Sequence, residues 1–199
     1  QGFVEGGQLD WDFLVASNQN PNLIGRASYI LQSDHHINDR LGGRLLFNTK
    51  IGDHLTLDVG ATFIKEDMVF YAQLDDLLGA EYHADIDPFT ETRNNNQGSL
   101  EKQKDDIISY HYGIQAQKWH GFLQLGYQSQ LVGGFISASI GEQNVSRQGF
   151  FQNERFPEES LGMGVELEYR PRSVKAGISV DFSGRHRLGV NALVKDRSE

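Results

Sequence analysis

Few residues in this chain are of types and spacings that do chemistry. The pair His35-His36 invites a metal reading. Neighbours on a strand point to opposite faces, so they make poor co-ligands of one ion, and solvated loop histidines are the expectation. The acids Asp75, Asp76, Glu81, Asp85 and Asp87 offer the hard oxygens that Ca²⁺ takes. Their spacing matches no EF-hand loop, so a loop Ca²⁺ is set against a capped turn or short helix. Glu166 and Glu168 lie two apart and share a strand face, as a glycosidase carboxylate pair would; a solvated face is the plainer account. Ser, His and Asp all occur, but no G-x-S-x-G elbow, dinucleotide-binding glycine run or phosphate loop does. No catalytic residue, metal ligand or cofactor is therefore assigned, and the protein is read as something other than an enzyme.

Composition narrows the class. A net charge of −9 argues against nucleic acid as a partner, because that binding rests on phosphate contacts. There is no cysteine, hence no disulfide framework and no thiolate chemistry. Mean hydropathy is −0.47, and no apolar run approaches the ~20 residues of a membrane helix. That excludes helical membrane proteins but not membrane β-barrels, whose strands alternate and average out as polar. The 22 glycines against 4 prolines suit a β-rich chain. The chain opens on Gln and closes on "KDRSE", which suggests a processed product or a piece of something longer.

Strand alternation dominates the pattern. "HLTLDVGATF" places Leu55, Leu57, Val59, Ala61 and Phe63 on one face and Thr56, Asp58, Gly60 and Thr62 on the other. The same stripe recurs as Val174, Ala176, Ile178, Val180 and Phe182. Strands are predicted over about 26–50, 54–71, 107–130, 135–149, 164–182 and 188–194, with short helices at "LDWDFLVASN", capped by Asp10 or Asp12, and at "DDLLGAEY". The fold class is all-β, an antiparallel up-and-down meander of about six long strands. Its connections alternate between short turns at about 51–54, 131–134 and 183–186 and longer loops at about 72–106 and 150–163. Each apolar stripe sits beside a short turn and fades toward a long loop, as in outer-membrane barrels with short periplasmic turns and long extracellular loops. Nine residues match a tilted membrane-crossing strand, and Phe63, Trp119, Tyr127 and Phe182 stand near stripe ends like an interfacial aromatic girdle. The stripe at 55–63, with Ile178 and Val180, is read as lipid-facing. "KED" at 65–67 then marks the exit from the bilayer.

Four segments, "QLDWDFLVASNQN", "RASYILQSDHHINDR", "LDDLLGAEYHADIDPF" and "GFFQNERFPEESLG", are more specific. Their core residues are Asp76-Leu77-Leu78-Gly79-Ala80-Glu81-Tyr82, Asp85-Ile86-Asp87-Pro88-Phe89, Arg147 through Gly149, Asn153, Arg155-Phe156-Pro157-Glu158 and Ser160-Leu161-Gly162. Together, in this order and rough spacing, they resemble the barrel of Bacteroidetes TonB-dependent outer-membrane receptors that carry an N-terminal carboxypeptidase-regulatory-like domain. The resemblance implies part of a large, 22-stranded transmembrane barrel, with residues 1–25 an extracellular loop segment and 26–199 wall strands. It implies an interior segment without the plug domain. Its partners would be outer-membrane lipid, the remaining strands, the plug and, through the plug, TonB; its function would be import of a nutrient ligand bound at the cell surface. Asp85, Asp87, Phe89, Arg155 and Phe156 are the implied ligand-facing loop residues. Arg40, Arg44 and Lys175, opposite the stripe, would face the lumen, where lining a transport path is set against the plainer role of pairing with Asp58 or Asp181 or touching the plug. Two other readings stand beside this one: a small soluble or closed β-barrel holding a lipophilic ligand inside, and an adhesive or assembly role for the loops.

Overall fold

The computed structural model describes residues 4–5, 7–182 and 187–198. Its elements in chain order are β1 (Val4–Glu5), β2 (Gln8–Leu9), α1 (Trp11–Asn18), a 3-10 turn (Pro21–Leu23), β3 (Leu31–Ile51), β4 (Leu55–Asp76), β5 (His83–Ala84), β6 (Glu101–Lys102), β7 (Ile107–Gln128), β8 (Val132–Gly149), α2 (Pro157–Ser160), β9 (Gly162–Asp181) and β10 (Arg187–Ser198). The protein is all-β. Its six long strands form one antiparallel meander in the order β10-β9-β8-β7-β4-β3, leaving β3 and β10 at the edges. Residues alternating on paired strands share a face, as where Val190 faces Ile178 and Leu188 faces Val180.

Several predicted boundaries move. β4 runs on to Asp76, β8 starts at Val132 and β9 at Gly162. The alternation weakens there, but ladder bonds need no apolar side chains. The helix expected at "DDLLGAEY" is absent. Leu78 and Gly79 adopt φ of 50° and 84°, a left-handed pair that cannot continue a helix, and the Asp76 carboxylate accepts from Leu78 N at 2.7 Å to close the turn. Near the start, α1 forms as predicted, and Asp10 is its cap, accepting from Phe13 N at 2.9 Å. Of the short turns, 52–54 uses Gly52 at φ 66°; the one expected at 183–186 lies outside the described residues.

The chain divides into two compact units. One comprises 39–66, 115–146 and 166–199; the other comprises 1–38, 67–114 and 147–165. Among its described residues the first holds only strand segments and short turns, and is called the wall unit here. The second holds the helices and long connections, and is called the loop unit. Among the described residues the buried apolar side chains all belong to the loop unit: Leu14, Ala27, Ala72, Leu74, Leu78, Ala84 and Ile108. Ala72, Leu74 and Ile108 form its centre, with Ile30, Leu77 and Tyr110 packed around them.

Candidate functional site: an apolar wall and a laced loop end

In the wall unit, one face of the sheet is defined by its own contacts. Asn48 and Gln124 both donate to the Asp58 carboxylate, and Arg40 pairs with Glu66 at 3.1 Å. Farther along, Ser139 bonds Ser173 at 2.8 Å. Glycines on this face make room for rings. A Cβ at Gly60 would stand 2.2 Å from Phe122, and one at Gly177 would stand 2.5 Å from Phe135. These contacts fix the alternation, so the intervening residues occupy the opposite face.

That opposite face is apolar and uncovered by any described residue. Leu41, Leu45 and Phe47 of β3, Val59 and Phe63 of β4, Trp119, Leu123 and Tyr127 of β7, and Ile136 and Ile140 of β8 all stand open. So do Val174, Ile178 and Phe182 beside β9, and Leu188, Val190 and Val194 of β10. Their exposures run from 37% at Val59 to 73% at Leu45. A soluble protein rarely leaves an apolar patch of more than a few hundred Å² in water, and here the patch crosses six strands. No large apolar side chain of the wall unit is buried among the described residues. A sheet with no core on either face needs an apolar medium or a partner on its greasy side. The expected lipid-facing residues Leu55, Leu57, Val59, Ala61, Phe63, Ile178 and Val180 lie on this face. Leu55, Leu57 and Val180 are half-buried and the other four exposed.

Arg40 does not pair with either expected acid. Glu66 lies across from it on β4, whereas Asp58 is taken by two amides and Asp181 by a two-pronged ion pair with Arg187.

In the loop unit, hydrogen bonds from backbone amides lace the two long connections together. Arg93 N donates to Glu154 Oε2 at 2.6 Å, Glu154 N to Arg93 O at 3.0 Å, and Asn96 N to Gln152 O at 2.8 Å. Asn18 ties α1 to both neighbours: its amide donates to Tyr29 O at 2.7 Å and Leu77 O at 2.8 Å, and accepts from Ser28 N and Tyr29 N. At 2% exposure this Asn spends its full bonding capacity inside the protein.

Just below the loops, two aromatic ladders cross the sheet back to back. On one face His36 stacks on Phe70 at 4.4 Å, Phe70 on Tyr112 at 5.1 Å, and the Arg147 guanidinium covers Tyr112 at 5.2 Å. On the other, His35 stacks on Tyr71 at 4.7 Å, and His111 meets Tyr71 and Phe150. The two histidines therefore do face apart, but as strand residues against rings rather than solvated loop residues. Cross-strand ring pairs of this kind stabilise a sheet. Burial holds the His111 imidazole below its ordinary pKa. Tyr110 donates to Asp34 at 2.8 Å; burial first, and then that bond to a carboxylate, push its phenol up to about 12.

The five acids of the Ca²⁺ reading serve turns and side chains instead. Asp75 accepts from Ser33, Asp76 closes the turn at Leu78, Glu81 lies over Gly25, and Asp87 accepts from Phe89 N and Thr90 N. Asp85, 2% exposed, accepts from Asn94 and from Ser109 N, so it is a buried anchor rather than an open ligand contact. Among the described residues no three His, Asp or Glu side chains gather as a metal would require. Phe89 at 94% and Phe156 at 52% exposure are open, and Arg155 covers the Phe156 ring. Glu168 pairs with Arg170. Sequence reasoning missed Asn18, the ladders and the residues of the cleft described below. The pairing of aromatic positions on neighbouring strands was the one signal within reach for the ladders.

Comparison with protein-family models, with curated proteins and with solved structures finds no match to this chain.

Proposed function

We propose that this chain is wall and loop of a TonB-dependent outer-membrane receptor that takes up a nutrient ligand at the cell surface. The observation that carries the proposal is the open apolar face of the wall unit, backed by a hydrogen-bonded face of Asp58, Asn48, Gln124, Arg40 and Glu66. Lipid against the first face and a wet lumen against the second is the arrangement of a large membrane barrel. The unpaired edges of β3 and β10 suit continuation into further strands of a wider barrel. The laced loops then face the outside, the lumen receives a plug, and TonB acts through that plug rather than through this segment. A small closed barrel with a lipophilic ligand inside fits less well, because the six strands form an open sheet and the apolar face is the uncovered one.

The absence of cysteine makes the test clean. Single cysteines are placed at 56, 57, 58 and 59, spin-labelled, and read with oxygen as the lipid-phase relaxant and a nickel chelate as the aqueous one. Positions 57 and 59 are expected to favour oxygen and 56 and 58 the chelate. Equal access of the chelate to all four would overturn the proposal.

A further inference from the structure

The loop unit contains a cleft of about 430 Å³ between residues 23–32 and 83–88, closed at one side by Ser109. This is within the size range of small-molecule sites, ~300–1,000 Å³. Its walls are held in place. Ala27 N donates to Tyr82 O at 2.8 Å, Asn18 grips Ser28 and Tyr29, and Asp85 N donates to Leu100 O at 2.9 Å. Leu23, Ile30 and Ile86 give it an apolar lining. Arg26 is its single charged lining side chain, with Gln32 and His83 beside it, and the nearby carboxylate, Asp85, is buried behind the wall and bonded to Ser109 N. The guanidinium is the one charged group the cleft presents to a ligand, and it attracts anions.

We infer that this cleft binds a small organic carboxylate with an apolar body, its carboxylate on Arg26 and its body against Leu23, Ile30 and Ile86. A guanidinium fork matches a carboxylate in two parallel bonds. One cation among apolar walls suits a singly charged carboxylate better than a phosphate. As a ligand site, the cleft rests on the receptor reading above. His83 gives a second handle. Burial holds its imidazole below the ordinary value; the Asp85 carboxylate opposes this and the Arg26 charge adds to it. A bound carboxylate favours the imidazolium, so affinity rises as pH falls through the His83 titration.

The test uses the full chain in nanodiscs, titrated calorimetrically with 4-phenylbutyrate and with its neutral isostere 4-phenylbutyramide. The acid is expected to bind at least about tenfold tighter than the amide, a typical margin for a charge-assisted pair. R26Q removes the margin without changing amide binding, and R26K keeps part of it. Acid binding tightens as pH falls below 6.5 in the parent and not in H83F. Equal binding of acid and amide, or a margin that survives R26Q, overturns the inference. If position 59 faces lipid and the margin is missing, this inference alone falls. If the margin is present and position 59 faces water, the receptor reading falls and the cleft assignment stands.

Discussion

Introducing a charge at the middle of the apolar stripe separates a lipid-facing wall from a water-facing one. The β4 stripe runs from 55 to 63 and is centred on Val59. With a rise of ~3.3 Å per residue and a tilt of ~40°, each residue climbs about 2.5 Å along the bilayer normal. Phe63 then stands about 10 Å from Val59, near the interface. Arginine on the lipid face of a barrel costs about 2–4 kcal/mol at the midplane and about 0–1 near the interface. V59R is expected to lose about 2–4 kcal/mol and F63R under about 1. I178R, at the centre of the 174–182 stripe, should match V59R. In water the prediction differs: Val59 is 37% exposed, and surface substitutions of that kind stay within about 0.5 kcal/mol. The assay is guanidinium unfolding from liposomes followed by Trp119 fluorescence in a W11F background, with midpoints converted through a common slope. Equal costs for V59R and F63R, or both below about 0.5 kcal/mol, would refute the membrane argument.

Other consequences concern the loop unit. N18A leaves part-buried backbone groups at Ser28, Tyr29 and Leu77 without their partner, at about 1 kcal/mol each and not fully additive; amide exchange at Ser28 and Tyr29 should speed by about fivefold or more, and unchanged protection would contradict the bonding described. G149A places a Cβ 1.6 Å from Ser160 O, so backbone must move. A loss of about 2 kcal/mol is expected, seen as faster proteolysis within 150–161, whereas G43A, with open space around its Cβ, should cut at the parent rate. Tyr110 has its folded pKa raised, so its contribution to stability is full below the ordinary phenol value of 10.0 and lost as pH rises toward about 12. Absorbance at 295 nm should show one tyrosine titrating late and moving down in D34N; a midpoint near 10 in the parent would contradict the burial described.

The six-strand meander was legible because a strand's side-chain period of two is local, and Leu55 to Phe63 display it without reference to anything distant. The cap of α1 was legible as Asp10 or Asp12, since capping needs only residues three apart, and the structure decides for Asp10. The strand extensions past 71 and before 135 were not, because ladder bonds come from the backbone and leave little trace in side-chain type. Nor was the turn at Leu78-Gly79, where a non-glycine takes a left-handed conformation that the Asp76 carboxylate and the buried Leu78 side chain hold.

The site divides the same way. Alternation alone determined which residues share a face, including the separation of His35 from His36. Only the tertiary structure decided what each face meets. Glu66 rather than Asp58 faces Arg40, Asp85 goes inside to hold Asn94 and Ser109 while Phe89 stays out, and Arg26 and His83, 57 residues apart by number, line one cleft. Such pairings depend on register and loop path, which are set by the sum of many weak long-range contacts and not by any short stretch of sequence.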